Sequence, residues 1–137
     1  MNPLLEKLFY CLLFGAIIGF ERLKVRHTIG PRTIVLIVTG SCVFTYLGTT
    51  MFLATSGGDL SRIPAGIVQG LGFIGAGIIF RKDDQIQGLT TAAEVWVAGS
   101  LGIMIGLGTY LEAFILTVFL FLVMIGLRWI EGKLRLK

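Results

Sequence analysis

Ala65-Gly66-Ile67-Val68-Gln69-Gly70-Leu71-Gly72-Phe73-Ile74-Gly75-Ala76-Gly77 is the stretch whose reading decides the fold. It is apolar enough for lipid, dense in glycine, and carries one amide, Gln69, near its middle. In a soluble helix each such glycine costs roughly 0.8–1 kcal/mol against alanine. In a membrane helix, small residues let a neighbouring backbone come close. The polar turn Arg81-Lys82-Asp83-Asp84-Gln85 follows, then a second dense motif, Gly88-Leu89-Thr90-Thr91-Ala92-Ala93-Glu94-Val95-Trp96. Together the two segments read as the packed centre of a small integral membrane protein.

Composition agrees. Of 137 residues, 55% are hydrophobic and 15% charged, with mean hydropathy +0.87, against about 25% charged residues in soluble domains. A soluble chain of this size lacks the interior to hide so much apolar surface, so the lipid bilayer is the expected solvent. The net charge is +4, yet basic residues are sparse inside the apolar runs. They read as topology signals, and no nucleic-acid partner is expected. Cys11 and Cys42 both lie in apolar runs and read as small core residues.

Five apolar runs, 4–20, 33–54, 63–80, 91–107 and 111–130, are each near the ~17–25 residues that a spanning helix needs. The expected fold is an all-α integral membrane protein, one domain of five transmembrane helices. The first run lacks a basic leader and a cleavage site and reads as a span. Arg22, Lys24, Arg26, Arg32, Arg81, Lys82, Arg128, Lys133, Arg135 and Lys137 fall on one side, against Lys7 and Arg62 on the other. The positive-inside rule then places the N-terminus outside and the C-terminus in the cytoplasm.

Ala65, Gln69, Gly72 and Ala76 recur at helical spacing, as do Val95, Gly99, Gly102 and Gly106. Faces of this kind are expected against other helices, with helices 3 and 4 forming the core. Helix 5 is bulky all round and is expected to face lipid, with Arg128 and Trp129 as interfacial anchors.

Glu94 is the most informative ionisable residue, about one turn inside helix 4. A carboxylate there must be paired, hydrated or protonated. It reads either as a cation or proton site or as an interfacial acid paired with Arg32, Arg22 or Arg81. Glu21, Arg22 and Arg32 share its level, as a structural clasp or as a mouth for a divalent ion or partner. Gln69 offers a carbonyl to an ion or an amide to another helix. Glu94, Gln69 and Glu21 thus form a candidate cation site with Mg2+ as its ligand; no cofactor is expected. Asp59 and Arg62 read as a solvated pair, and Thr90 and Thr91 as a helix cap. Gly70-x-Gly72-x-x-Gly75 matches a dinucleotide fingerprint, but inside an apolar run it lacks the required strand-to-helix setting. No nucleophile–base arrangement suggests an enzyme.

Gly19-x-Glu21-Arg22, Gly30-x-Arg32-Thr33, Arg62-Ile63 with Gln69-Gly70-x-Gly72-Phe73-Ile74-Gly75-Ala76-Gly77, and Gly88-Leu89-Thr90-Thr91-Ala92-Ala93 with Trp96 resemble the MgtC/SapB family. The resemblance implies a multi-pass protein of the bacterial inner membrane, tied to magnesium homeostasis and in some members to virulence. It also implies that Arg22, Arg32, Arg62, Gly72, Gly75, Gly77, Thr90, Thr91 and Trp96 matter functionally. ATP synthase is a partner implied by resemblance to the namesake. Namesake-type members carry a soluble C-terminal domain that this sequence does not include, and many relatives have a small or hydroxyl residue where Glu94 stands.

Two functions follow as expectations. One is a regulatory membrane protein acting through helix contacts, as a homo-oligomer with a dimer favoured. The other is magnesium, cation or proton permeation around Glu94 and Gln69.

Overall fold

In lipid a backbone must satisfy its own N–H and C=O groups, and each apolar run accordingly folds as a helix. A computed structural model describes residues 2–21, 29–55 and 59–134. Among these, α1 spans Pro3–Glu21, α2 Pro31–Thr55, α3 Arg62–Ile78, α4 Leu89–Leu107 and α5 Tyr110–Leu134. Four of them, α1, α2, α4 and α5, are long and apolar enough to cross a membrane. The fifth, α3, is a shorter apolar helix of 17 residues.

Helix 3, expected to reach residue 80, stops at Ile78. The chain turns extended at Ile79 and forms a small hairpin, β1 (Phe80–Lys82) against β2 (Gln85–Gln87). Asp83 and Asp84 make its turn with φ of 47° and 63°. Two successive left-handed residues are what a tight hairpin requires, and aspartate tolerates that region. Arg81 pairs with Asp84 across the turn.

Gly88 then starts α4 at φ 87°. A Cβ there would overlap the Ile78 carbonyl, so the return of the chain past the end of α3 needs glycine. Thr90 and Thr91 are therefore not caps as expected. They lie inside the first turn of α4, and the preceding Gly88 offers no side-chain bond. At the other end Gly108 (φ 84°) donates to the Ile105 carbonyl and Thr109 to that of Met104. This is a Schellman ending, and it leads directly into α5.

Helix α4 touches all four other helices, most extensively α2. Val95, Gly99, Gly102 and Gly106 are all buried on it, as their spacing implies. A Cβ on Gly102 would overlap the Val38 carbonyl and stand 2.6 Å from Ser41 Cβ. The α2 and α4 backbones are therefore as close as glycine allows.

The core departs from the expectation in one respect. Cys11, Phe14, Ile18, Ile34, Val38, Cys42, Leu101 and Ile105 fill it, from α1, α2 and α4, while α3 buries only Leu71 and Gly75. Its bulky stripe Ile67, Leu71 and Ile78 packs on the core. The face Ala65, Gln69, Gly72 and Ala76 is exposed. Small side chains bury little area per contact, so the bulkier stripe wins the inward position. Helix α5 buries only Ala113 and Thr117, as its bulk all round suggested.

Candidate functional site

Among the described residues, the two buried charged ones lie at opposite ends of the bundle, and α1 supplies both. Its inward stripe is Lys7, Cys11, Phe14, Ile18 and Glu21, a helical spacing of 4, 3, 4 and 3. The stripe therefore begins and ends on a charge.

At the hairpin end Glu21 is 7% exposed and pairs with Arg128 of α5 at 2.5 Å. Burial would make a lone carboxylate costly, and the guanidinium offsets that cost. Arg128 is thus a structural partner as well as the interfacial anchor read from sequence. It also borders a cavity of about 650 Å³ with Gly88, Thr90, Thr91 and Glu131. Thr91 is buried and Thr90 exposed. Glu94 is half-buried on α4, with one carboxylate oxygen enclosed.

At the opposite end Lys7 is equally buried. Its ammonium donates to the Ile105 carbonyl at 3.0 Å and lies 5.6 Å and 5.4 Å from the centres of the Tyr46 and Tyr110 rings. The carbonyl end of a helix and two ring faces are both favourable surroundings for a cation. Tyr110 also stacks on Tyr10, with centroids 4.4 Å apart, which ties α5 to α1. From sequence alone Lys7 reads only as a topology signal. Its place on the stripe that ends at Glu21 was the signal available.

Other positions are scattered. Arg32, Arg62, Gln69, Gly72, Gly77 and Trp96 are exposed, and Gly75 meets Ala92. Arg22 lies outside the described residues. Asp59 and Arg62 make no close ion pair, although the charge of Arg62 still favours the ionised carboxylate. Asp59 accepts from the Ser61 amide at 2.9 Å and hydroxyl at 2.6 Å, and these bonds hold its carboxyl below the usual carboxylate range. Among the described residues, no three His, Cys, Asp or Glu side chains come together as a metal cage.

The third feature is a laterally open groove between α2 and α3, about 800 Å³ in volume. Its walls include Gly40, Phe44, Ile63, Gly66, Gly70 and Ile74, and its one charged lining residue is Arg62.

These helices and their polar ends define a small polytopic α-helical membrane protein. The chain belongs to the MgtC family, whose profile matches residues 8–133. It is 38% identical to Protein MgtC of Salmonella typhimurium, over 93% of this chain and 54% of that protein. It is 37% identical to Protein SapB of Bacillus subtilis, over 96% and 59%. With Protein MgtC of Brucella abortus the identity is 40%, over 79% and 44%. The chain thus spans about half the length of these curated relatives. No solved structure matches it.

Proposed function

We propose that the chain is a regulatory protein of the bacterial inner membrane, acting in magnesium homeostasis or stress adaptation through contacts made within the bilayer. The magnesium link comes from the family resemblance. In this reading α3 spans with the other four helices, the hairpin end with Arg81, Lys82 and Arg128 faces the cytoplasm, and the N-terminus lies outside.

One observation carries the contact reading. The Ala65, Gln69, Gly72 and Ala76 face of α3 is uncovered, and its amide lies about ten Å along the helix from Arg62, counting 1.5 Å per residue. In hydrocarbon an amide without a partner is costly, while small residues and an amide suit a helix interface. An amide is donor and acceptor at once, so two copies related by a two-fold axis satisfy each other.

The test is self-association of the full chain in bilayers. Gln69→Leu is expected to weaken it roughly 3- to 30-fold, the equivalent of about 0.6–2 kcal/mol for one interhelical hydrogen bond. A photo-crosslinker in place of Gly72 is expected to capture a second copy or a larger membrane complex. A lone chain at every protein density, with no crosslinked protein in native membranes, overturns the reading.

Permeation is the second reading, favoured by the enclosed oxygen of Glu94. Neither the groove nor the cavity is lined by Glu94 or Gln69. Magnesium flux in proteoliposomes that is lost in Glu94→Gln would favour permeation over regulation by contact.

A further inference from the structure

We infer that the groove between α2 and α3 is a phospholipid site, with an acyl chain lying along it and the phosphate held by Arg62. This site is separate from the contact face. Its α3 residues, Ile63, Gly66, Gly70 and Ile74, centre roughly 135° from the Ala65, Gln69, Gly72 and Ala76 face at 100° per residue, with Gly66 nearest to it.

The shape of the groove selects the occupant. Its lining on α2 runs from Thr33 to Met51, which is about 27 Å of helix and close to the ~30 Å thickness of the hydrocarbon core. The groove is open along its side over that length, with a volume of about 800 Å³. A narrow, flexible, apolar chain suits a laterally open channel of that length. The lining is apolar apart from two hydroxyls, Thr33 and Ser41, and Arg62.

Charge selects the headgroup. Ile63 reaches over Gly48, which sets Arg62 level with the Gly48–Met51 end of α2, where the groove meets the membrane surface. Asp59, the acid nearest in sequence, accepts its hydrogen bonds from Ser61 and feels Arg62 only at longer range, and Arg62 has no salt bridge among the described residues. A planar guanidinium with free donors matches a phosphate. At this depth an arginine adjoins headgroups while the groove beside it adjoins acyl chains. One phospholipid satisfies both.

The backbone leaves room at both test positions. A Cβ built on Gly40 or on Gly70 meets nothing within 4 Å, so leucine at either position enters the groove instead of the core. The full chain, extracted gently from membranes containing phosphatidylethanolamine and phosphatidylglycerol, is expected to carry one phospholipid per chain by native mass spectrometry. Gly70→Leu, and independently Gly40→Leu, should displace it while the melting temperature stays near that of the parent. Arg62→Gln should lower retention about fivefold, the contribution of one arginine near a lipid surface. Equal lipid retention in the parent and both folded leucine variants overturns the site. A dimer that the leucine variants split would instead give the groove to a second copy and overturn it as well.

Discussion

Helices α3 and α4 are both rich in glycine, and the structure uses them in opposite ways. On α4, Gly99, Gly102 and Gly106 each have an atom of another helix where a Cβ would stand. On α3, Gly66, Gly70, Gly72 and Gly77 have none within 4 Å, and Gly75 alone meets a neighbour. Glycine content says that a helix can be approached closely; it does not say that this chain does the approaching. The three α4 glycines fall on one face with bulky buried neighbours, whereas those of α3 spread around the axis. Inside one chain α4 is a keystone and α3 a flank.

The contrast can be broken most severely at Gly102. Gly102→Leu forces α2 and α4 apart, and overpacking of this kind costs about 3 kcal/mol or more. The expected readout is loss of the monodisperse folded species in detergent. Gly88→Ala comes next, because it combines a left-handed backbone with an overlap at the Ile78 carbonyl. A loss of roughly 1–3 kcal/mol is expected, seen as a lower thermal midpoint and freer proteolysis at the hairpin. Leu71→Ala removes the side chain that fills the Gly99 notch. It should loosen α3 by about 2 kcal/mol, below the upper end of core truncations because α3 is peripheral, with faster hydrogen exchange confined to α3. Gly72→Ala is the opposite extreme and should leave stability unchanged or raise it by up to about 1 kcal/mol. A large loss there would show that α3 is packed more tightly than its exposed face indicates.

Much of this was legible from residue order. The runs 4–20, 33–54, 91–107 and 111–130 became helices with boundaries shifted by a few residues, because twenty apolar residues have few other ways to satisfy their backbone. The spacing of Gly99, Gly102 and Gly106 also announced the inward face of α4. The hairpin was harder, since Phe80 continues the apolar run until the turn chemistry of Asp83 and Asp84 overrides it. The edge position of α3 was not legible, because a face of small residues looks the same whether its partner lies in the same chain or elsewhere. The pairing of Glu21 with Arg128 was also out of reach. Periodicity places Glu21 on the inward stripe of α1 but cannot choose among ten basic residues on one side.

The two enclosed charges of α1 have a consequence for how the molecule is made. Lys7 finds its acceptor ninety-eight residues later in the chain, and the arginine that neutralises Glu21 comes later still. As the first helix leaves the ribosome, neither the Ile105 carbonyl nor the Arg128 guanidinium has been made. The contact of Glu21 with Arg128 forms only once α5 has emerged. Both contacts are thus available only to a chain that has been made as far as α5. A chain stopped before α5 is expected to be cleared faster in pulse-chase labelling than the whole chain. Replacing Lys7 with methionine and Glu21 with glutamine should narrow that difference.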